Sequence, residues 1–178
     1  MIEEAKKRAN KADFFIMDFL DSTRVIKKKF NAIISLGNSI GLIASSSSFK
    51  NVINRFTHFL YSSNSIIIFH LLNTEKMREG WSNPRSISND EGEFLFLRGF
   101  STSEYYIHPE ILTLFKATKS DDWILHTTGK ANIPRINQKE MKSLLEKYGF
   151  YDIQFFGNYK REIFDPLNSI DMITVAHY

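Results

Sequence analysis

The chain has 178 residues, of which 43% are hydrophobic and 24% charged, enough for one domain around a single buried core. It contains no cysteine, which excludes thiolate catalysis, disulfides and thiolate metal sites. The net charge is +3 with a pI near 9.0, and the bases cluster only at Lys6-Lys7-Arg8 and Lys27-Lys28-Lys29, which read as solvated faces before they read as a nucleic-acid groove.

No apolar run approaches the ~20 residues of a membrane helix. The start, Met-Ile-Glu-Glu-Ala-Lys-Lys-Arg, has no signal-peptide core, and the reading is cytoplasmic.

In chain order, Ile2 to Lys11 predicts a helix, with acids ahead of bases as the helix dipole favours. Phe14 to Met17 reads as a short strand that stops at Asp18. On its own Asp18 is a cap or turn acid. At the end of a strand in the same sheet as Ile33 to Leu36 it becomes a carboxylate able to accept from an exocyclic purine amine.

The stretch Phe30 to Ile43 is an apolar run broken by Leu36-Gly37-Asn38-Ser39. Ala32 to Leu36 is apolar on both sides of the pleat, as in a strand with both faces covered. Its parallel partner is Ser65 to Leu72.

Between these strands, the serine tract Ala44 to Ser48 supplies a helix cap. Phe49, Val52, Ile53, Phe56 and Leu60 then form an amphipathic stripe. In such a strand–helix–strand unit, ligands lie beyond the carboxyl ends of the strands. That places Leu36 to Ser39 and Leu72-Asn73 at a pocket rim.

Glu75 to Trp81 reads as a short helix ended by Gly80, followed by polar turns. Glu93 to Phe100, Glu104 to Ile107 and Trp123 to Thr128 suit antiparallel strands, in an insertion over residues 82–135 that covers the rim. Asn137 to Gly149 is a helix with a capping box, Asn137 with Glu140. Tyr151 to Phe156 and Met172 to Ala176 close the fold, joined by a loop that holds Pro166.

Histidines 58, 70, 108, 126 and 177 stand singly, which argues against a metal site. His70, inside an apolar strand, reads as a core hydrogen-bonding residue. There is no Gly-x-Ser-x-Gly elbow, and Gly37-x-x-x-Gly41 lacks the lysine of a phosphate loop. Arg98 either reaches an anionic substrate or makes a surface ion pair.

Four blocks, in this order, carry a resemblance: MIEEAKKRA from Met1, FFIMDF from Phe14, FNAIISLGNS from Phe30 and GFYDI from Gly149. Together they resemble class I S-adenosylmethionine-dependent methyltransferases of the small-molecule kind, with a glycine N-methyltransferase-like pattern. The blocks correspond to the helix after the second strand, the third strand with its adenine-contacting acid, the fourth strand with its loop, and the turn into the closing strands. The resemblance implies an α/β, Rossmann-like, mostly parallel sheet with S-adenosyl-L-methionine as cofactor.

It also implies that Asp18 and the Phe19 backbone contact adenine, and that Leu36 and Gly37 contact the methionyl moiety. Asn38 and Ser39, with Asn73 and Arg98, would then face a small-molecule acceptor, and no residue is assigned as a catalytic base. Leucine at 42 and 72, where glycine-methylating relatives carry histidine and arginine, points away from an amino-acid acceptor.

The family's glycine-rich loop and ribose-binding acid would precede Met1, so the expectation is an N-terminally truncated domain. Its fourth strand would have an open edge, through which copies associate. Two other readings are a non-catalytic module that keeps the fold, and, last, a nucleic-acid methyltransferase or binder.

Overall fold

A computed structural model describes residues 2–9, 11–45, 48–61 and 64–178. Asn10 of the first predicted helix, Met1 before it and Ser46-Ser47 of the serine tract lie outside these residues. Helix α1 spans Ile2–Arg8, held by Lys6–Glu3 and Arg8–Glu4 ion pairs, and buries nothing.

Phe14 to Met17 is not a strand. Asp18 instead caps a 3-10 turn over Phe19–Asp21, its carboxylate accepting from Leu20 N–H at 2.7 Å, and α2 (Ser22–Val25) follows. An apolar run becomes a strand only where a neighbour completes its ladder, and none of the described residues does so here.

The first sheet has the order β1-β2-β10-β9, from β1 (Ala32–Ser35), β2 (Ile66–Leu72), β9 (Tyr151–Phe156) and β10 (Asp171–His177). Strands β1 and β2 are parallel, with Ile33 opposite Ile67. β10 runs antiparallel to both β2 and β9. The carboxyl ends of β1, β2 and β9 therefore share one rim, and β10 starts there.

Between β1 and β2 come α3 (Ser39–Ser45), which the sequence reading does not separate from the apolar run, and α4 (Phe49–Phe59). Ser48 caps α4 by accepting from Asn51 N–H at 3.2 Å, as expected of the tract. Helix α5 (Gln138–Lys147) carries the expected capping box, with Asn137 and Glu140 exchanging side-chain and backbone bonds.

One face of the sheet is the core. Ile67, Phe69 and Leu71 of β2 and Met172 and Ala176 of β10 pack with Val52, Ile53 and Phe56 of α4 and Met141 and Leu145 of α5. The stripe on α4 lies in this cluster, where the 3.6-residue spacing predicts it. The opposite face is not covered as a doubly wound sheet requires: Ile34 is 61% exposed, and Ile66, Ile68 and Leu72 are half-buried.

The second sheet is antiparallel: β3 (Gly80–Trp81), β4 (Arg85–Asn89), β5 (Gly92–Thr102), β6 (Tyr106–Ala117), β7 (Ile124–Lys130) and β8 (Ile133–Pro134). The short helix expected over Glu75 to Trp81 is absent; a turn and β3 stand in its place. This sheet is rooted beside the first: Arg135 donates to Thr74 O at 3.1 Å, and Thr74 donates to Ile136 O at 3.3 Å.

Candidate active site

The rim is built by three segments: Leu36 to Ser39 after β1, Asn73-Thr74 after β2, and 157–170 between β9 and β10. Gly37 and Asn38 both have left-handed backbones, φ 65° and 62°, which turns the chain sharply out of β1. Asn38 N–H donates to His70 O at 3.1 Å, and its side-chain oxygen accepts from Leu72 N–H at 3.3 Å. The parallel ladder is thus extended past the end of β1 by a side chain.

A Cβ on Gly41 would lie 2.7 Å from Asn38 Oδ1, so glycine at 41 makes room for this bond. Asn38 is only 8% exposed, and its side-chain oxygen and both backbone groups are engaged. It holds the rim together and is a poor acceptor contact, against the expectation from sequence.

Asn73 has a similar part. Its amide nitrogen donates to Pro166 O and Ser169 O, both at 2.8 Å, and its oxygen accepts from Glu75 N–H at 3.1 Å. At 2% exposure it pins the 157–170 loop to β2 and faces no solvent.

Inside that loop, the Asp165 carboxylate accepts from the Asn168 side chain at 2.7 Å and Leu167 N–H at 2.8 Å. These two bonds hold its pKa below the ordinary carboxylate range.

Other expected positions fall differently. Leu36 is 49% exposed and Gly37 has no atom within 4 Å of a would-be Cβ, so both offer open apolar and backbone surface at the rim. Ser39 is exposed, its hydroxyl donating to Leu36 O at 2.7 Å. Arg98 is exposed on β5, with no side-chain hydrogen bond or ion pair to a described residue.

Asp18 and Phe19 do not join this group. Phe19 packs edge-on against Phe56 of α4, ring centroids 5.4 Å apart. It lines an apolar cavity of about 310 Å³ with Phe15, Phe30, Ile33 and Phe59, flanking the amino end of β1 rather than the rim.

The rim also gathers side chains that the sequence reading did not connect. His70 Nδ1 lies 2.8 Å from the Tyr159 hydroxyl and accepts from Gly37 N–H at 3.4 Å; its Nε2 is 3.0 Å from Asp171 Oδ1. Tyr159, 64% exposed, crosses the histidine edge-on. Eighty-nine positions separate Tyr159 from His70, and no local pattern links them.

A scan against family models finds no match, and neither does a comparison with curated protein sequences. Solved structures do match, and the fold is that of class I S-adenosylmethionine-dependent methyltransferases. An S-adenosylmethionine-dependent methyltransferase from Clostridium acetobutylicum superposes with a TM-score of 0.72 at 12% identity, over 99% of this chain and 70% of that one.

CalS10 from Micromonospora echinaspora, an amino pentose methyltransferase solved with S-adenosylmethionine bound, gives 0.73 at 10% identity over 99% and 69%. The sugar N-methyltransferase KedS8 from Streptoalloteichus gives 0.74 at 10% identity over 97% and 66%.

At the carboxyl rim Leu36 presents an exposed apolar side chain and Gly37 an open backbone, the kinds of group that would border the methyl-bearing end of S-adenosylmethionine. For the adenine amine the fit fails at the expected acid: Asp18 caps the 3-10 turn, accepting from Leu20 N–H, and does not stand at the rim.

Proposed function

We propose that the chain serves S-adenosylmethionine-dependent methyl transfer to a small-molecule acceptor, and that the acceptor is an uncharged or amine-bearing molecule of the amino-sugar kind. The observation that carries this reading is the common rim of parallel β1 and β2 in a sheet of order β1-β2-β10-β9, within a fold shared with methyltransferases. Two of the neighbours named above act on sugars, which supports the acceptor class.

S-adenosylmethionine supplies an electrophilic methyl group on a sulfonium. This chain's own part is to hold and dry the acceptor. Leu36 and Gly37 would border the methyl-bearing end. Ser39 offers a hydroxyl, and Ile163, Leu167 and Ile170, all more than 60% exposed on the 157–170 loop, offer an apolar wall. The second sheet is rooted beside this rim at Thr74.

Titration calorimetry with S-adenosylhomocysteine tests the reading, together with formation of that product from S-adenosylmethionine and glucosamine. Binding below about 100 μM with product formation is expected. No binding, in this chain and in a longer version if one exists, would favour the second reading, a non-catalytic module with the same fold. That reading draws support from Asn38 and Asn73, whose side-chain oxygens and, for Asn73, whose amide nitrogen serve internal bonds.

The open edge of β1 also supports self-association of copies by strand pairing. Sedimentation at micromolar concentration is expected to show a dimer or larger species; a monomer would refute it.

A further inference from the structure

We propose that Tyr159, His70 and Asp171 form a proton relay at the rim, with the Tyr159 hydroxyl as the group that takes a proton from an amine-bearing acceptor. The proposal rests on the methyl-transfer reading for the identity of the acceptor; the relay itself is argued from these side chains.

The direction of the relay follows from one hydrogen bond. Gly37 N–H can only donate, and it aims at His70 Nδ1 at 3.4 Å. That nitrogen therefore carries a lone pair, and the Tyr159 hydroxyl 2.8 Å away is its second donor. The ring proton must then reside on Nε2.

Nε2 is buried, has no aligned acceptor among the described residues, and lies 3.0 Å from Asp171 Oδ1. The carboxylate stands beside the N–H instead of along it, so it acts as a countercharge to the ring. Its backbone register is fixed, Asp171 pairing with Leu72 across β2 and β10.

Tyr159 is placed by a built turn. The Asn158 side-chain oxygen accepts from Lys160 N–H at 2.9 Å, its amide donates to Glu162 at 2.7 Å, and Gly157 N–H donates to Glu162 O at 2.8 Å. The phenol is thereby offered to solvent at one end and to His70 at the other. Gly37 and Tyr159 reach the same ring nitrogen, so the phenol stands next to the rim backbone.

An alkylammonium has no free electron pair and cannot attack a methyl carbon on a sulfonium donor. In the relay its N–H bond breaks, the electron pair stays on nitrogen, and the proton passes to Tyr159 Oη. The hydroxyl's own proton moves to His70 Nδ1, and the ring becomes an imidazolium beside the Asp171 carboxylate. One proton is moved and no charge is created or lost. Tyr159 is the catalytic residue; His70 stores the proton and Asp171 is a positioning residue.

The test uses the whole chain. Imidazole nitrogen–proton correlation spectra of the ligand-free protein, assigned with His70→Asn, read the tautomer. A proton on Nε2 is expected; a proton on Nδ1 overturns the relay. Product formation is then measured for Tyr159→Phe with glucosamine, which is largely protonated near neutral pH, and with O-methylhydroxylamine, which is neutral there.

Loss of roughly a hundredfold on glucosamine, little loss on O-methylhydroxylamine and unchanged S-adenosylhomocysteine affinity would support the relay. Equal loss on both acceptors, or none on either, overturns it. If the unaltered chain neither binds S-adenosylhomocysteine nor forms it, the methyl-transfer reading fails separately, and the tautomer still decides the relay.

Discussion

The side chain of Asn38 and the missing side chain of Gly41 form one device, and the two positions should be coupled. With Gly41→Ala the new methyl would stand 2.7 Å from Asn38 Oδ1, so the amide must leave and Leu72 N–H loses its acceptor. An unsatisfied, partly buried amide costs about 1–3 kcal/mol, and alanine in a helix returns at most about 1 kcal/mol relative to glycine.

The single variant should therefore be less stable by about 1–2 kcal/mol. Asn38→Gly keeps the left-handed backbone and removes only the bond, at about 1–3 kcal/mol. In the double variant the methyl meets no amide, so the second change should be neutral or stabilising. The coupling is then about 2 kcal/mol, well above the ~0.5 kcal/mol scatter of independent sites. Urea unfolding followed by far-ultraviolet circular dichroism measures all four corners of the cycle. Additive effects within that scatter would refute the assignment of Asn38 as a side chain that continues the ladder.

Replacing Asn137 with alanine should lower stability by about 1 kcal/mol in the same assay, because Glu140 N–H loses the cap on α5. Ile53→Ala, in a side chain with no exposure at the centre of the α4 stripe, should cost about 2–5 kcal/mol, and its midpoint in urea is the check.

The lowered Asp165 pKa means that its ionised form is the one the loop binds. Its stabilising effect is therefore complete above the ordinary carboxylate range and fades as pH falls through the lowered value. Protection of the Leu167 and Asn168 amides, measured against the intrinsic exchange rate at each pH, should fall as the carboxylate protonates, and in Asp165→Asn it should already be low near neutral pH. Ile34→Lys, at an exposed position on the open edge strand, should disperse any self-associated species without reducing the monomer's stability.

Where the chain carries strong local chemistry, the sequence reading and the structure agree. The parallel pair β1 and β2, the stripe on α4, the capping box on α5 and the final strands all follow from hydrophobic period or from a cap. The failures share a cause. Arg85–Asn89 is exposed at every position and shows no alternation, yet pairing with β5 makes it a strand. β6 contains Pro109, which speaks against a strand, but Pro109 lies just beyond Glu110, the first β6 residue paired with β7. Phe14 to Met17 has a strand's composition and no pairing partner among the described residues.

From the sequence by itself came the α/β class, the polar break after β1, the exclusion of cysteine chemistry and the resemblance to methyltransferases, because each depends on residue types or on spacing within one element. Only the tertiary structure decided which polar groups remain available. It closed Asn38 and Asn73 into internal bonds, moved Asp18 and Phe19 to the side of α4, and brought Tyr159 and Asp171 to His70. The physical reason is that hydrogen bonds between distant segments are set by strand register and loop closure, and these are properties of the folded chain and not of any local stretch.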